Sequence, residues 1–284
     1  MSGPAIALVV CAAVLHAIWN ALAKRADNQF VFLWSSVSLA TLLLLPAGLM
    51  RLPAEGTPAA GLPFVAASVA IHALYFYALG RSYRHGDFSR VYPMARGLGV
   101  ALVPLVALPV FGERLSWLGA LGVGFVVLGI AALSVTPSAL PVNGLGAGTA
   151  WALVTGLTIA AYSLVDKAGV ARLHPMPYIA LMGLGLSALL APVVLSDRPA
   201  IAREWRRHWR AILVASAMNL TSYLLVLFAF RLSKVGYVVA ARELSILFSA
   251  FIGSLWLREG RLGPRLAGAS VVLAGVVCIA VARE

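Results

Sequence analysis

Residues 111–134 read FGERLSWLGALGVGFVVLGIAALS, and residues 257–281 read LREGRLGPRLAGASVVLAGVVCIAV. A shift of 146 positions superposes Glu113 on Glu259 and brings two glycines of each stretch into register. Each stretch is a charged turn followed by an apolar, glycine-spaced run close to the roughly 20 residues that cross a bilayer. The chain therefore carries a repeated unit that ends in a membrane-spanning helix.

The repeat extends outward from these two stretches. The same shift places Arg96 on Arg242, and a shift of 143 places Trp19-Asn20 on Tyr162-Ser163. We therefore predict two units, residues 1–138 and 139–284. Since each unit holds five apolar windows, an odd number, the second copy must enter the membrane from the opposite side, which makes the repeats inverted.

Composition places the whole chain in lipid. Hydrophobic residues make up 61% of the 284 positions and charged residues 11%, and the mean hydropathy is +0.93. A water-soluble core could not cover this much apolar surface. Apolar windows predict an all-α membrane protein with ten transmembrane helices, at about 4–23, 29–50, 62–82, 87–111, 115–135, 145–167, 176–195, 209–231, 236–257 and 263–281.

The net charge of +12 does not indicate a nucleic-acid partner. Basic residues lie singly or in short groups between the apolar windows, as in loops that flank membrane helices. The two cysteines, Cys11 and Cys278, both fall inside apolar windows, so no disulfide framework is predicted. No phosphate-binding G-x-x-x-x-G-K-[ST] segment occurs, and ATP is therefore not the direct energy source.

The sequence resembles the drug/metabolite transporter superfamily, and within it the ten-helix EamA-type permeases. The residues that carry the resemblance are Ala78-Leu79 through Gly86, Pro93 to Arg96, Phe111 to Leu115, Gly236 to Ala241, Leu257 to Leu262 and Leu266 to Gly275. The resemblance implies a central cavity lined by helices one to four and six to nine. Helices five and ten would then serve as packing struts, and Ala120-Gly124 is a small-xxx-small pair suited to that role.

Arg96 and Arg242 are the deepest charges in the predicted spans, well inside a hydrocarbon core about 30 Å thick. An unpaired arginine at the centre of a span costs at least about 2.5 kcal/mol, so each must have a partner or line water. One hypothesis is that the two guanidinium groups face each other and bind an anionic group through forked hydrogen bonds. The alternative is internal, with Arg96 or Arg242 paired to Glu243.

Other polar and aromatic side chains recur at helical spacing, as expected for cavity-lining faces. The substrate-binding candidates besides the three charges are His16, Trp19, Asn20, Tyr75, Tyr92, Tyr162, Asn219, Tyr223 and Ser245. Pro93 would bend helix four beside Arg96 and is either a gate or a static kink. Glu113 lies at a helix end, where capping is its expected role.

These features predict a secondary transporter that exports a small polar metabolite, preferably an anion or zwitterion such as an amino acid, by alternating access. Organic-cation efflux through Glu243 is the alternative, and a lipid-carrier flippase or an intramembrane enzyme ranks below it. We expect a multi-pass protein of a cell inner membrane, whose partners are the lipid bilayer and the small-molecule substrate. The expected oligomeric state is a monomer or a weak dimer. No cofactor, metal cluster or enzymatic activity is expected.

Overall fold

The computed structural model describes residues 1–52, 58–86, 88–134, 146–248 and 262–282. The helices are α1 (Gly3–Lys24), α2 (Gln29–Arg51), α3 (Leu62–His85), α4 (Phe88–Phe111), α5 (Trp117–Ser134), α6 (Ala147–Val170), α7 (Pro175–Leu195), α8 (Arg198–Leu232), α9 (Val235–Arg242) and α10 (Leu262–Val281). Residues 244–248 are also helical. No β-strand occurs within these ranges, so the all-α prediction is confirmed.

Among the described residues, seven helices are long and apolar enough to cross a membrane: α1, α2, α3, α6, α7, α8 and the Met94–Phe111 part of α4. Two shorter apolar helices, Trp117–Ala132 in α5 and Gly268–Val281 in α10, lie side by side. In a bilayer, backbone polar groups must be satisfied within the segment, and helices do this completely. The chain is a multi-span membrane protein.

Helix pairing joins the two halves of the chain. α1 packs against α8, and α3 packs against α6. If each helix is replaced by its equivalent in the other half, five places along the chain, the first contact becomes the second. α2 packs against α7, and α5 against α10. Each of these two pairs is formed by the equivalent helices of the two halves. This pattern supports the predicted repeat, whose limits at residues 138 and 139 stay a prediction.

The α5–α10 contact is made by glycines facing backbone. A Cβ added to Gly122 would lie 2.7 Å from the Gly275 carbonyl oxygen, and one added to Gly275 would lie 2.6 Å from the Gly122 carbonyl oxygen. The expected Ala120-Gly124 pair is not the contact, since a Cβ on Gly124 would meet nothing within 4 Å. The two helices pack on each other through a different face, and their role as struts outside a central cavity stays a prediction.

Two helices differ from their predicted spans. α8 begins at Arg198 instead of residue 209, because Asp197 caps its first turn by accepting a hydrogen bond from the Ala200 backbone nitrogen (3.0 Å). The added turns are too charged for an apolar window to find. α9 ends at Arg242 with a turn at Glu243, and the predicted continuation past residue 248 lies outside the described residues.

Candidate functional site

The centre of the bundle contains a buried ion pair between the two halves. Arg96 on α4 donates from Nε to Oε2 of Glu243 (3.0 Å) and from Nη2 to Oε1 (2.5 Å). Only 5% of the Arg96 side chain and 2% of the Glu243 side chain are exposed. Such a forked, charge-assisted pair is among the stronger polar contacts in proteins. Of the two sequence hypotheses for Arg96, the structure shows internal pairing.

Arg242 is equally buried but less well satisfied. Its Nη2 donates to the Tyr162 hydroxyl (3.3 Å), whereas its Nε donates to no acceptor among the described residues. A guanidinium offers five N–H donors, and an unused buried donor carries a desolvation cost. Arg242 therefore has capacity for an anionic ligand, which the paired Arg96 lacks in this arrangement.

Aromatic rings surround the Arg242 end of the site. The Tyr162 ring stacks on His72 with centroids 4.3 Å apart, and Tyr75 meets Tyr162 edge-on at 5.8 Å. Tyr223 meets His72 edge-on at 5.9 Å. The rings come from α3, α6 and α8, so the fold brings together three of the predicted tyrosines around one predicted arginine.

The site is closed. Arg242 is 7% exposed, close to the values of its two charged neighbours. Two apolar crevices, one between α2, α3 and α7 and one between α1, α9 and α10, contain none of the three charges. The part of the chain that the structure describes thus encloses the charges instead of presenting them in the open central cavity that the sequence predicts.

A carboxylate that the sequence reasoning missed lies beside the aromatic rings. Asp166 on α6 is fully buried. Its Oδ1 accepts hydrogen bonds from Ser68 (2.6 Å) and Tyr178 (2.7 Å), and its Oδ2 accepts one from Tyr223. Asp166 lies one turn after Tyr162 on the polar stripe of α6, and that spacing could have identified it.

Three other predicted residues, all on α1, form local contacts. Asn20 donates to the His16 backbone oxygen (2.7 Å), and the His16 and Trp19 rings meet edge-on at 5.0 Å. Trp19 packs in a cluster of α1, α2 and α8, and its Nε1 is buried with no hydrogen-bond partner in the described residues.

Four further candidates follow the helix pattern. Tyr92 and Asn219 are half-buried, one turn before Arg96 and Tyr223, and Ser245 is buried just after Glu243. α4 runs as a helix through Pro93, whose side chain lies outside those described, and its role as a gate stays a prediction.

Glu113 ties the ends of two helices together. Glu113 accepts a hydrogen bond from the backbone nitrogen of Val235 (2.7 Å), which confirms its capping role, although the helix it caps is α9 of the other half.

Beside the α1–α2 turn, Asp27, Glu204 and His208 present ligand atoms within 4.8 Å of one another, a metal-type grouping that the sequence did not predict. Their remaining oxygens are occupied by Arg207 and by the Asn28 backbone nitrogen, so the group also joins the α1–α2 turn to α8.

Comparison with known proteins agrees with this architecture. No curated protein sequence matches the chain. A solved protein crystal structure superposes with a TM-score of 0.75, covering 99% of this chain and 97% of that one at 16% sequence identity, which shows a shared fold. Residues 146–281 match the model of the EamA-like transporter family. The second half of the chain is thus similar to the EamA-like transporter family, and the structural match extends the shared fold to nearly the whole chain.

Proposed function

We propose that the protein is a secondary transporter that exports a small anionic or zwitterionic metabolite, such as an amino acid, across a cell inner membrane by alternating access. The carrying observation is the buried guanidinium of Arg242, whose Nε has no acceptor among the described residues. A charge inside a membrane bundle marks a substrate or ion pathway by default. A carboxylate would supply the missing acceptor and compensate the charge.

Charge bookkeeping supports an anion over an organic cation. Arg96 neutralises Glu243, so this carboxylate has no uncompensated charge to offer a cation in the closed arrangement. Arg242 is left with only a neutral hydroxyl as its hydrogen-bonded partner among the described side chains. The aromatic rings beside it would contact the apolar part of the substrate and exclude water, which strengthens the electrostatic interaction.

The closed ion pair fits one half of a transport cycle. Arg96 belongs to the first half of the chain and Glu243 to the second, so separating the halves would separate the pair. Binding of an anion at Arg242 would neutralise the charge of that guanidinium. That change lowers the cost of rearranging the neighbouring charges and supports rocking between two closed forms.

The test is uptake of a panel of radiolabelled amino acids into proteoliposomes. Arg242→Gln should lower the rate for the accepted amino acid at least about tenfold, since a hydrogen bond to a charged group contributes roughly 1.5–3 kcal/mol. Arg231→Gln, which alters an exposed arginine at the end of α8, is the matched control and should leave uptake unchanged. Full activity of the Arg242 variant would refute the anion site. Efflux of an organic cation that depends on Glu243 and survives loss of Arg242 would instead favour the cation exporter.

A further inference from the structure

We infer that Asp166 is the proton-binding site through which a transmembrane pH gradient drives this transporter. The inference rests on the proposed transport function and adds its coupling ion. It starts from the fact that Asp166 is a carboxylate with no exposed surface, on a helix apolar enough to span the membrane. Ionisable groups in that position are costly and mark ion pathways or proton relays.

The hydrogen bonds of Asp166 fit its ionised form. Its oxygens lie within hydrogen-bond distance of three hydroxyl groups, each of which can donate to a carboxylate. All three donors are neutral at ordinary pH. The next residue, Lys167, does not neutralise it, because its ammonium group donates to the backbone oxygens of Phe230 and Ser233 and lies 3.4 Å from Glu113.

The three donors come from three different helices. Ser68 lies on α3, Tyr178 on α7 and Tyr223 on α8, while Asp166 itself lies on α6. A rearrangement that separates α6 from α3, or α7 from α8, would remove donors from the carboxylate. A buried carboxylate that loses its donors is strongly destabilised and neutralises by taking up a proton. The protonation state is thereby tied to the conformation.

A relay connects Asp166 to the substrate end of the site. His72 Nδ1 lies 2.9 Å from the Ser68 backbone oxygen, and its Nε2 lies 3.5 Å from the Tyr223 hydroxyl. Hydronium from the open side of the membrane first protonates His72 and leaves water. The imidazolium then passes its Nε2 proton to the Tyr223 oxygen while the Tyr223 hydroxyl proton moves to Oδ2 of Asp166. His72 ends neutral, the tyrosine is regenerated, and the carboxylic acid holds the proton.

The other groups around the relay connect it to Arg242. Tyr162 stacks on His72 and accepts a hydrogen bond from Arg242, and the Met182 sulfur faces Ser68. Ligand binding at Arg242 that displaces the Tyr162 hydroxyl therefore disturbs the ring stacked on the relay histidine. This contact gives substrate and proton a shared structural element.

A proton fits this site better than a sodium ion. The Ser68 and Tyr178 oxygens lie 2.6 and 2.7 Å from Asp166 Oδ1, which are direct O–H···O distances. These hydroxyl groups are already bonded to the carboxylate, and a metal cation would have to part them.

The counterpart of Asp166 in the first half is Ala23 at the shift of 143, so the first repeat has no carboxylate at the equivalent position.

The first experiment is infrared pH-difference spectroscopy of the purified protein in lipid nanodiscs, which needs no substrate. The chain's other acidic side chains also give this stretch, so the buried carboxyl is followed as a separate, higher-frequency C=O component. That component should appear on acidification in the wild type and be missing in Asp166→Asn. Asp197→Asn is the matched control, since Asn also caps a helix well, and it should keep the band. Persistence of the full band in Asp166→Asn would overturn the inference.

The second experiment separates coupling from transport. With the amino acid that the wild type accepts, Asp166→Asn should lose accumulation driven by a pH gradient and retain substrate exchange at equal pH. Asp166→Glu keeps a titratable group and should retain part of the driven uptake, which preserves the test if the amide variant misfolds. Driven uptake in Asp166→Asn, or uptake driven by a sodium gradient alone, would refute proton coupling. Failure of every amino acid to exchange in the wild type would refute the proposed substrate class and leave the infrared result standing.

Discussion

The buried pair between Arg96 and Glu243 allows a quantitative test of what holds the closed form together. Removing one partner of a buried ion pair costs about 3–5 kcal/mol, because the other charge is left without compensation. With 5% and 2% of the two side chains exposed, solvent cannot supply that compensation. Arg96→Met and Glu243→Leu should therefore each destabilise the protein by roughly 3 kcal/mol or more. At about 1.4 kcal/mol per factor of ten, 3 kcal/mol shifts the unfolding equilibrium roughly 100-fold.

The assay is a double-mutant cycle, with unfolding in mixed micelles followed by denaturing detergent titration. The double variant Arg96→Met/Glu243→Leu buries two apolar side chains and should recover most of the stability lost by either single variant, giving a coupling energy of about 3 kcal/mol. The exposed pair Arg207–Asp27, 72% and 47% exposed, provides the control cycle and should show a coupling of at most about 1 kcal/mol. Additive effects of Arg96→Met and Glu243→Leu would refute the argument that the pair is desolvated.

Three further outcomes follow from the same coordinates. Gly122→Leu should destabilise the protein by about 1–3 kcal/mol through overpacking, because its Cβ would lie 2.7 Å from a carbonyl oxygen of α10. Gly124→Leu is the control and should be tolerated, and equal melting temperatures of the two variants would contradict the glycine contact. Tyr162→Phe keeps the ring stack but removes a hydroxyl that competes with substrate for the Arg242 guanidinium. The KM for an anionic substrate should therefore fall up to about tenfold, and a raised KM would show that the hydroxyl binds substrate. The hydrogen bond from Arg207 lowers the pKa of Asp27 below its usual 3.8. The stabilising effect of this contact is present above pH 3.8 and is lost as the pH falls through the lowered pKa. Asp27→Asn should flatten the acid side of a plot of melting temperature against pH, and an unchanged acid side would count against this contact.

Sequence reasoning located the spans because lipid requires continuous apolar windows. It missed the start of α8, where charged residues such as Arg203 and Arg206 continue the helix beyond any apolar window. It also missed the turn at Glu243, since local backbone geometry leaves no trace in hydropathy. Windows report solvent preference and not where a helix begins or bends.

For the site, the same cost of charge in lipid identified Arg96, Arg242 and Glu243, but not which of them pair. Pairing depends on the rotation of α4 about its axis, which a single sequence does not encode in any local pattern. Asp166 lies one residue before the end of the predicted span at 145–167, where a charge can reach the membrane surface, so its position gave no sign of burial. Its three donors lie between 12 and 98 positions away, so only the folded chain reveals the network.

The length of α8 has a consequence for how the protein sits in a membrane. Its 35 residues span about 52 Å, well beyond the roughly 30 Å hydrocarbon slab, and the overhang presents exposed Arg203, Arg206 and Arg210. Anionic phospholipid headgroups attract such an overhang by about 1 kcal/mol per basic residue near the surface. Because the same helix also carries Tyr223, which donates to Asp166, the lipid charge of the leaflet and the ionic strength can change the position of a residue in the buried site.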